Sequence, residues 1–279
     1  MPYYRTMEKI DASIAILGCG TIGKAIASGL VSSGLSRPGQ ITATRRDRER
    51  LQTLSAEGFA TTCDNRAAAR EAAILILTVT PQHLDELIEE ITPEIDPDRH
   101  TVLSVVSGAS INQIRKHFGR PVPIVRVMPN TAIAICESMT CLSAAEQDAE
   151  ALALARRIFD CLGRSLVIHE DLMVPATALC ACGVAFFLRA VRAASQGGIE
   201  IGFHAEDALF MAAQTAKGAA AILLEEGKHP ERELDKVTTP QGCTISGLNQ
   251  MEHHGFSSSL IRGILVSAEK AAGLYTRKD

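Results

Sequence analysis

The chain has 279 residues, of which 46% are hydrophobic and 22% charged, and a net charge of −4 at pH 7. It can bury a core in one large domain or two ordinary ones, and its slight acidity excludes nucleic acid as the main partner. The densest basic run, residues 45–50, is short, mixed in sign, and reads as the solvated start of a helix.

Eight cysteines carry no CxxC pair and no metal-like Cys/His spacing, so a reduced, cytoplasmic protein without a metal site is expected. Several lie in apolar runs, where a thiol acts as a small hydrophobe. Residues 1–13 lack the apolar centre of a signal peptide, so no export is expected. The most apolar stretch, residues 172–188, is short for a membrane span and contains Pro175 and Gly183. It is expected to form a buried helix, with no membrane partner.

In chain order, residues 14–17 form a short apolar run that predicts a buried strand. Gly18, Gly20 and Gly23 follow in GxGxxG spacing, and then Ile22, Ile26, Leu30 and Val31 recur with helical period. Strand, glycine turn and helix is the order a dinucleotide site needs. The first glycine makes the turn, the second admits the pyrophosphate, the third lets helix and strand pack, and Thr21 and Ile22 open the helix whose N-terminus faces the phosphates. Taken alone the motif also fits a plain glycine-rich turn; its context favours the nucleotide.

A second strand is predicted over residues 40–44. An NAD site usually places an acid at the end of this strand, whereas here the residues are Thr44, Arg45 and Arg46, with no acid before Asp47. That favours NADP, the alternative being two arginines pointing to solvent. Strands at 59–61, 72–79, 101–106 and 122–127 alternate with helices at 64–70, 82–90 and 111–118, which predicts a doubly wound, mostly parallel sheet with ligand at its C-terminal strand ends. Those ends carry residues 78–82, including Thr78, Thr80 and Pro81, then 107–110, and 128–131, including Asn130.

The pattern changes near residues 163–168, and from 172 onward only helical periods remain, over 173–198, 205–226 and 257–274. The domain boundary is placed near residue 166, giving an α/β domain over 1–166 and an all-α domain over 167–279. In the loop at 238–248, Pro240, Gly242 and Thr244 break one helix and start another. The N–H groups of Gly242, Cys243 and Thr244 could receive a small carboxylate there; an ordinary turn capped by Thr244 fits equally well.

The stretch DKVTTPQGCTISGLNQME followed by GF, the opening GCGTIGKAIASGL, the turn TPQ, VVSGASI, RVMPNT with Glu137 downstream, and AAQTAKGAAAILLEEGKHP occur in one order. Together they resemble the pyrroline-5-carboxylate reductase family over almost the whole chain, from Ile14 to about Ala272. The resemblance implies a Rossmann-type NADP-binding domain, a helical C-terminal domain that makes a homodimer and leaves a higher oligomer open, and NADPH-dependent reduction of 1-pyrroline-5-carboxylate to L-proline, with NADH as an alternative donor. It implies a cofactor site of Gly18, Gly20, Thr21, Ile22, Gly23, Thr44, Arg45, Arg46, Thr78, Thr80, Pro81 and Asn130. It also implies a substrate site of Gly242, Cys243, Thr244 and Cys182 between the nicotinamide and the signature loop at the dimer interface, with Thr244 hydrogen-bonding the ring nitrogen. A cyclic imine protonated on nitrogen is already an electrophile, which fits the lack of an obvious catalytic histidine or lysine.

Departures from the family pattern bear on the substrate. Thr80 stands where LAVKPQ has lysine, Gln241 where the loop has a first glycine, and Ala132 follows Thr131 where NTP is common. Cys180, Cys182 and Phe186 replace two serines and a tyrosine of LSGSGPAY, which softens the polar lining. The alternatives are reduction of another cyclic imine or keto acid, and a non-catalytic NADP-binding regulator.

Overall fold

The computed structural model describes residues 9–273. The expectation of no signal peptide falls largely on residues 1–8, and the expected end of the last helix on Leu274; these lie outside the described residues. Among the described residues two compact units are present, one holding residues 9–182 and 267–273, the other residues 183–266. The boundary expected near residue 166 falls inside a strand, and the first unit continues to Cys182 because the next turns pack on that strand's sheet.

The first unit contains β1 (Ile14–Leu17), α1 (Thr21–Ser32), β2 (Ile41–Thr44), α2 (Arg48–Ala56), β3 (Ala60–Thr62), α3 (Asn65–Glu71), β4 (Ile74–Leu77), α4 (Leu84–Ile91), β5 (Thr101–Ser104), α5 (Ile111–Phe118), β6 (Ile124–Met128), β7 (Ser138–Ala144), α6 (Ala149–Asp160), β8 (Gly163–Val167) and α7 (Met173–Ala176). The strands form one sheet in the order β3-β2-β1-β4-β5-β6-β7-β8. From β3 to β6 it is parallel; β7 is antiparallel to β6, and β8 is parallel to β7.

The sheet is covered on both faces, which is why its central strands are apolar throughout. On β1, Ile14 and Ile16 share one core with Ile26 and Leu30 of α1 and Phe159 of α6, while Ala15 and Leu17 share the other with α3, α4 and α5. Local signals set the helix ends. Asp47 caps α2, Asp64 caps α3, and Ser110 with Gln113 forms a capping box on α5, which stops at Gly119 with φ +62°.

The sequence reading missed α6, β7 and β8. In β7 the polar residues Ser138, Thr140 and Ser143 break the apolar run, yet all three are buried. Ser138 Oγ accepts from the Asn130 N–H at 3.1 Å and pairs with the Thr140 hydroxyl at 3.1 Å. Side-chain pairing of this kind lets a polar strand be buried, and no periodicity reveals it.

The helix expected from 173 begins as α7 and passes through a π-helical segment, Thr177–Cys182, in which the Thr177 hydroxyl donates to the Met173 carbonyl at 2.9 Å. It continues in the second unit as α8 (Gly183–Glu200). There follow α9 (Ala205–Glu226), α10 (Pro230–Val237), α11 (Cys243–His253) and α12 (Phe256–Ala271). Helices α8 and α9 form an antiparallel hairpin in which a Cβ at Gly198 would stand 3.0 Å from the Ala208 Cβ.

Burial of the stretch 172–188 is partial, with Met173, Ala176, Thr177, Ala178 and Gly183 buried. Leu172, Leu179, Phe187 and Leu188 are exposed, and in the most apolar window of residues 170–200, with mean hydropathy 1.8, only 28% is buried. By length and composition this is the one helix among the described residues that could cross a membrane. The chain covers Met173, Ala176 and Ala178 but leaves Leu179, Phe187 and Leu188 exposed.

Candidate active site

The C-terminal ends of β1 and β4 mark the reversal of strand order, where open α/β sheets hold their ligands. Gly18 has φ +81°, and a Cβ there would stand 2.3 Å from Val79 Cγ1, so only glycine makes this turn. At Gly23 a Cβ would meet Thr78 Oγ1 at 2.9 Å and Ile16 Cγ2 at 3.0 Å, which makes this the glycine of helix–strand packing. The Thr78 hydroxyl donates toward the carbonyls of Leu17 and Gly18, at 3.1 Å each, and ties β4 to the turn.

A cleft of about 540 Å³ opens over this turn. Gly18, Gly20, Thr44, Arg45, Arg46, Thr78 and Thr80 line it, so seven of the expected cofactor residues are brought together. The first turn of α1 holds no acidic side chain and its N-cap is Gly20, so its N–H groups and partial positive charge are open to an anion. Arg45 Nη1 donates to the Cys19 carbonyl at 3.1 Å, which holds the guanidinium beside the glycine turn. Asp47 is spent as the cap of α2, accepting from the N–H groups of Glu49 and Arg50, and so leaves the end of β2 without a free acid. Burial pushes the Cys19 thiol up to about 11, so it stays neutral beside the turn. A glycine cradle, a helix N-terminus free of acidic side chains and a basic strand end fit a nicotinamide dinucleotide.

The remaining expected cofactor residues are placed differently. Thr21 lines an adjacent cleft with Lys24, Arg45 and Arg50. Ile22 packs against the core, Gly23 is buried, and Pro81 opens a turn just outside the lining. Asn130 does not reach the cleft: its Oδ1 accepts from the Ala132 N–H at 3.0 Å and its Nδ2 donates to the Cys180 carbonyl at 3.2 Å. That asparagine is a buried brace.

Sequence reasoning missed Cys63, Asn65 and Glu90, which also line the cleft. The Gly18 N–H donates to Thr44 Oγ1 at 3.1 Å, the Thr44 hydroxyl donates to Asn65 Oδ1 at 2.6 Å, and Asn65 Nδ2 donates to Glu90 at 2.8 Å. The signal was present in the end of β3, since a parallel strand's C-terminal end belongs to the ligand side. Arg126 is buried against Glu170, 3.1 Å away, and serves the fold.

In the second unit, Gly242, Cys243 and Thr244 come together at the start of α11. Gly242 is the N-cap, no side chain caps the helix, and the reading of Thr244 as an ordinary cap is therefore not realised. The Gly242 N–H donates to the Thr239 carbonyl at 2.9 Å. It is thus removed from the expected donor set, and Cys243, Thr244 and Ile245 are left as first-turn donors with no intrahelical acceptor. A Cβ at Gly242 would stand 2.4 Å from Thr239 Oγ1, and Gln241 takes φ +59° without being glycine. The tight turn survives the loss of the first glycine. Cys182 ends the π-helical segment of the first unit.

Residues 170–274 match the family model described as pyrroline-5-carboxylate reductase dimerisation, and residues 13–108 match one described as NADP oxidoreductase, coenzyme F420-dependent. Pyrroline-5-carboxylate reductase 1 of Dictyostelium discoideum is 54% identical over 98% of the chain, which spans about half (52%) of that protein. Pyrroline-5-carboxylate reductase 2 of the same organism is 50% identical over 95% of the chain and 93% of its own length. The crystal structure of Plasmodium falciparum pyrroline carboxylate reductase with NADP bound superposes with a TM-score of 0.85 at 21% identity, covering 96% of this chain and all of that one. A glycine-turn cleft, a helical unit carrying the signature turn, and a half-identical relative of matching length agree: the chain belongs to the pyrroline-5-carboxylate reductase family.

Proposed function

We propose that this chain reduces 1-pyrroline-5-carboxylate to L-proline with NADPH, completing proline biosynthesis. The observation that carries the reading is the 50% identity, over nearly the whole of both chains, to a relative named for this reaction. In the division of labour that follows, the sheet-bearing unit holds the cofactor, and the helical unit carries the substrate turn and the dimer contact.

When bound, the reduced nicotinamide supplies a hydride to the carbon of a protonated C=N bond. The chain's own work is positioning. The first turn of α1 receives the pyrophosphate through its N–H groups, and Arg45 and Arg46 receive the 2′-phosphate, which favours NADPH over NADH. Loss of one charge-assisted contact costs about 1.5–3 kcal/mol, so Arg45→Ala is expected to raise KM for NADPH about 10-fold or more and leave KM for NADH nearly unchanged. Equal effects on the two cofactors would remove the arginine from 2′-phosphate recognition.

At α11, the Cys243 and Thr244 N–H groups and the helix's positive end hold the substrate carboxylate, and the Thr244 hydroxyl accepts from the protonated ring nitrogen. Cys182 belongs to the substrate side of the first unit. Thr244→Ala is expected to lower kcat about 10- to 100-fold, with Thr244→Ser retaining most activity. The deciding assay follows loss of nicotinamide absorbance with 1-pyrroline-5-carboxylate, other cyclic imines and keto acids, using NADPH and NADH in parallel. Normal NADPH binding without turnover of the named imine would overturn the function.

The exposed apolar faces of α8, α9 and α12 are covered in a homodimer, in keeping with the dimerisation family matched by residues 170–274.

A further inference from the structure

Cys141 and Cys180 take no part in the cofactor cleft or the α11 turn. Cys141 is buried on β7, and Cys180, partly exposed, packs against it from the π-helical segment within the cluster of Met128, Met173 and Ala176. The two elements are tied on either side of the pair. Met128 of β6 lies opposite Cys141 in the sheet register, and Asn130, two residues further on, donates to the Cys180 carbonyl at 3.2 Å. The interaction between the two thiols lowers Cys180 and raises Cys141, burial adding to the rise of Cys141. One cysteine of the pair is thus partly exposed and the other buried within the same cluster. A π-helical turn is also a frequent mark of functional positions inside a helix.

We propose that Cys141 and Cys180 form an oxidant-reactive dithiol, a modification site for hydroperoxides at which Cys180 reacts and Cys141 resolves it into a disulfide. In the first step the Cys180 thiolate attacks one peroxide oxygen, the O–O bond breaks, and the departing hydroxide takes a proton to become water, leaving a sulfenic acid. In the second, the Cys141 sulfur attacks the Cys180 sulfur, the S–O bond breaks, and the oxygen leaves as water with the Cys141 proton. Two electrons pass from the sulfur pair to the peroxide. The disulfide would staple the segment Thr177–Cys182 to β7, two residues from Cys182. The inference is independent of the substrate assigned above.

The test treats the native full-length protein with hydrogen peroxide, blocks remaining thiols, and assigns sulfur links by fragmentation of tryptic peptides. Fragmentation is needed because Cys136 shares a peptide with Cys141, and Cys182 shares one with Cys180. A Cys141–Cys180 link that dithiothreitol reverses is the expected result. In Cys141→Ser, Cys180 should accumulate as a sulfenic acid captured by dimedone; should that variant fail to fold, Cys180→Ser should leave Cys141 unmodified because it is buried. Links of 136–141 or 180–182, or an unmodified Cys180 when the exposed Cys63, Cys136 and Cys243 are already oxidised, would overturn the proposal.

Discussion

Two backbone positions show how the chain makes its ligand turns. Gly18 must be glycine on two counts, its φ of +81° and the 2.3 Å a Cβ would leave to Val79. Gly18→Ala is therefore expected to lower stability by about 1–3 kcal/mol and abolish detectable NADPH binding, as calorimetry would register. Gln241 sits at φ +59° where the family motif has glycine, a conformation that disfavours side chains by about 1 kcal/mol and β-branched ones by more. In urea unfolding, Gln241→Gly should match or exceed the wild type by up to about 1 kcal/mol, and Gln241→Val should fall about 2 kcal/mol below it. A valine variant as stable as the wild type would mean the turn does not hold that backbone angle.

Between elements, ion pairs decide how the sheet's helices are held. Glu94, in the turn after α4, takes Arg66 at 2.7 Å and Arg70 at 2.8 Å, both from α3. Hydrogen bonds from Arg70, then Arg66, hold its carboxyl down at about 2, against an ordinary value of 4.5. A carboxyl depressed in the folded state stabilises fully above its unfolded pKa, and that contribution fades as pH falls from about 4.5 toward about 2. The Tm gap between wild type and Glu94→Gln should accordingly be constant near neutrality and shrink in that window; a gap independent of pH would show the clamp to be inert. The Arg126–Glu170 pair is more deeply placed. Glu170 also accepts the Ile111 N–H at 2.7 Å, so one carboxylate joins β6, the start of α5 and the turn before α7. Glu170→Ala would leave a buried guanidinium unpaired, at an expected cost of about 3 kcal/mol in denaturant unfolding.

At the scale of the molecule, the helical unit exposes more apolar surface than an isolated unit normally tolerates. Phe187, Leu188, Ile201 and Phe210 are among its most exposed large side chains. A charge placed in that surface, as in Phe210→Asp, is expected to shift the protein to monomer in light scattering while the sheet-bearing unit keeps its NADPH affinity. If the wild type itself runs as a monomer at micromolar concentration, the assignment of these faces to a homodimer is wrong.

The sequence determined by itself the central sheet, the glycine turn, the basic end of β2 and the family, because each is written in local pattern: apolar runs, fixed glycine spacing, caps and an ordered set of motifs. It also placed the turn before α11 within residues 238–248. Tertiary structure alone decided which of those residues do what the motif suggests. Asn130 reads as a site residue but spends its polar atoms as a buried brace, while Asn65 and Glu90 enter the cleft through contacts across β2, α3 and α4. The Gly242 N–H is taken by Thr239, and the buried polar strand β7 escaped detection because its hydroxyl pairing is invisible to periodicity. The physical reason is common to all of these. A hydrogen-bonding group has a few bonds to give, and whether a ligand or the fold takes them depends on neighbours far away in the chain.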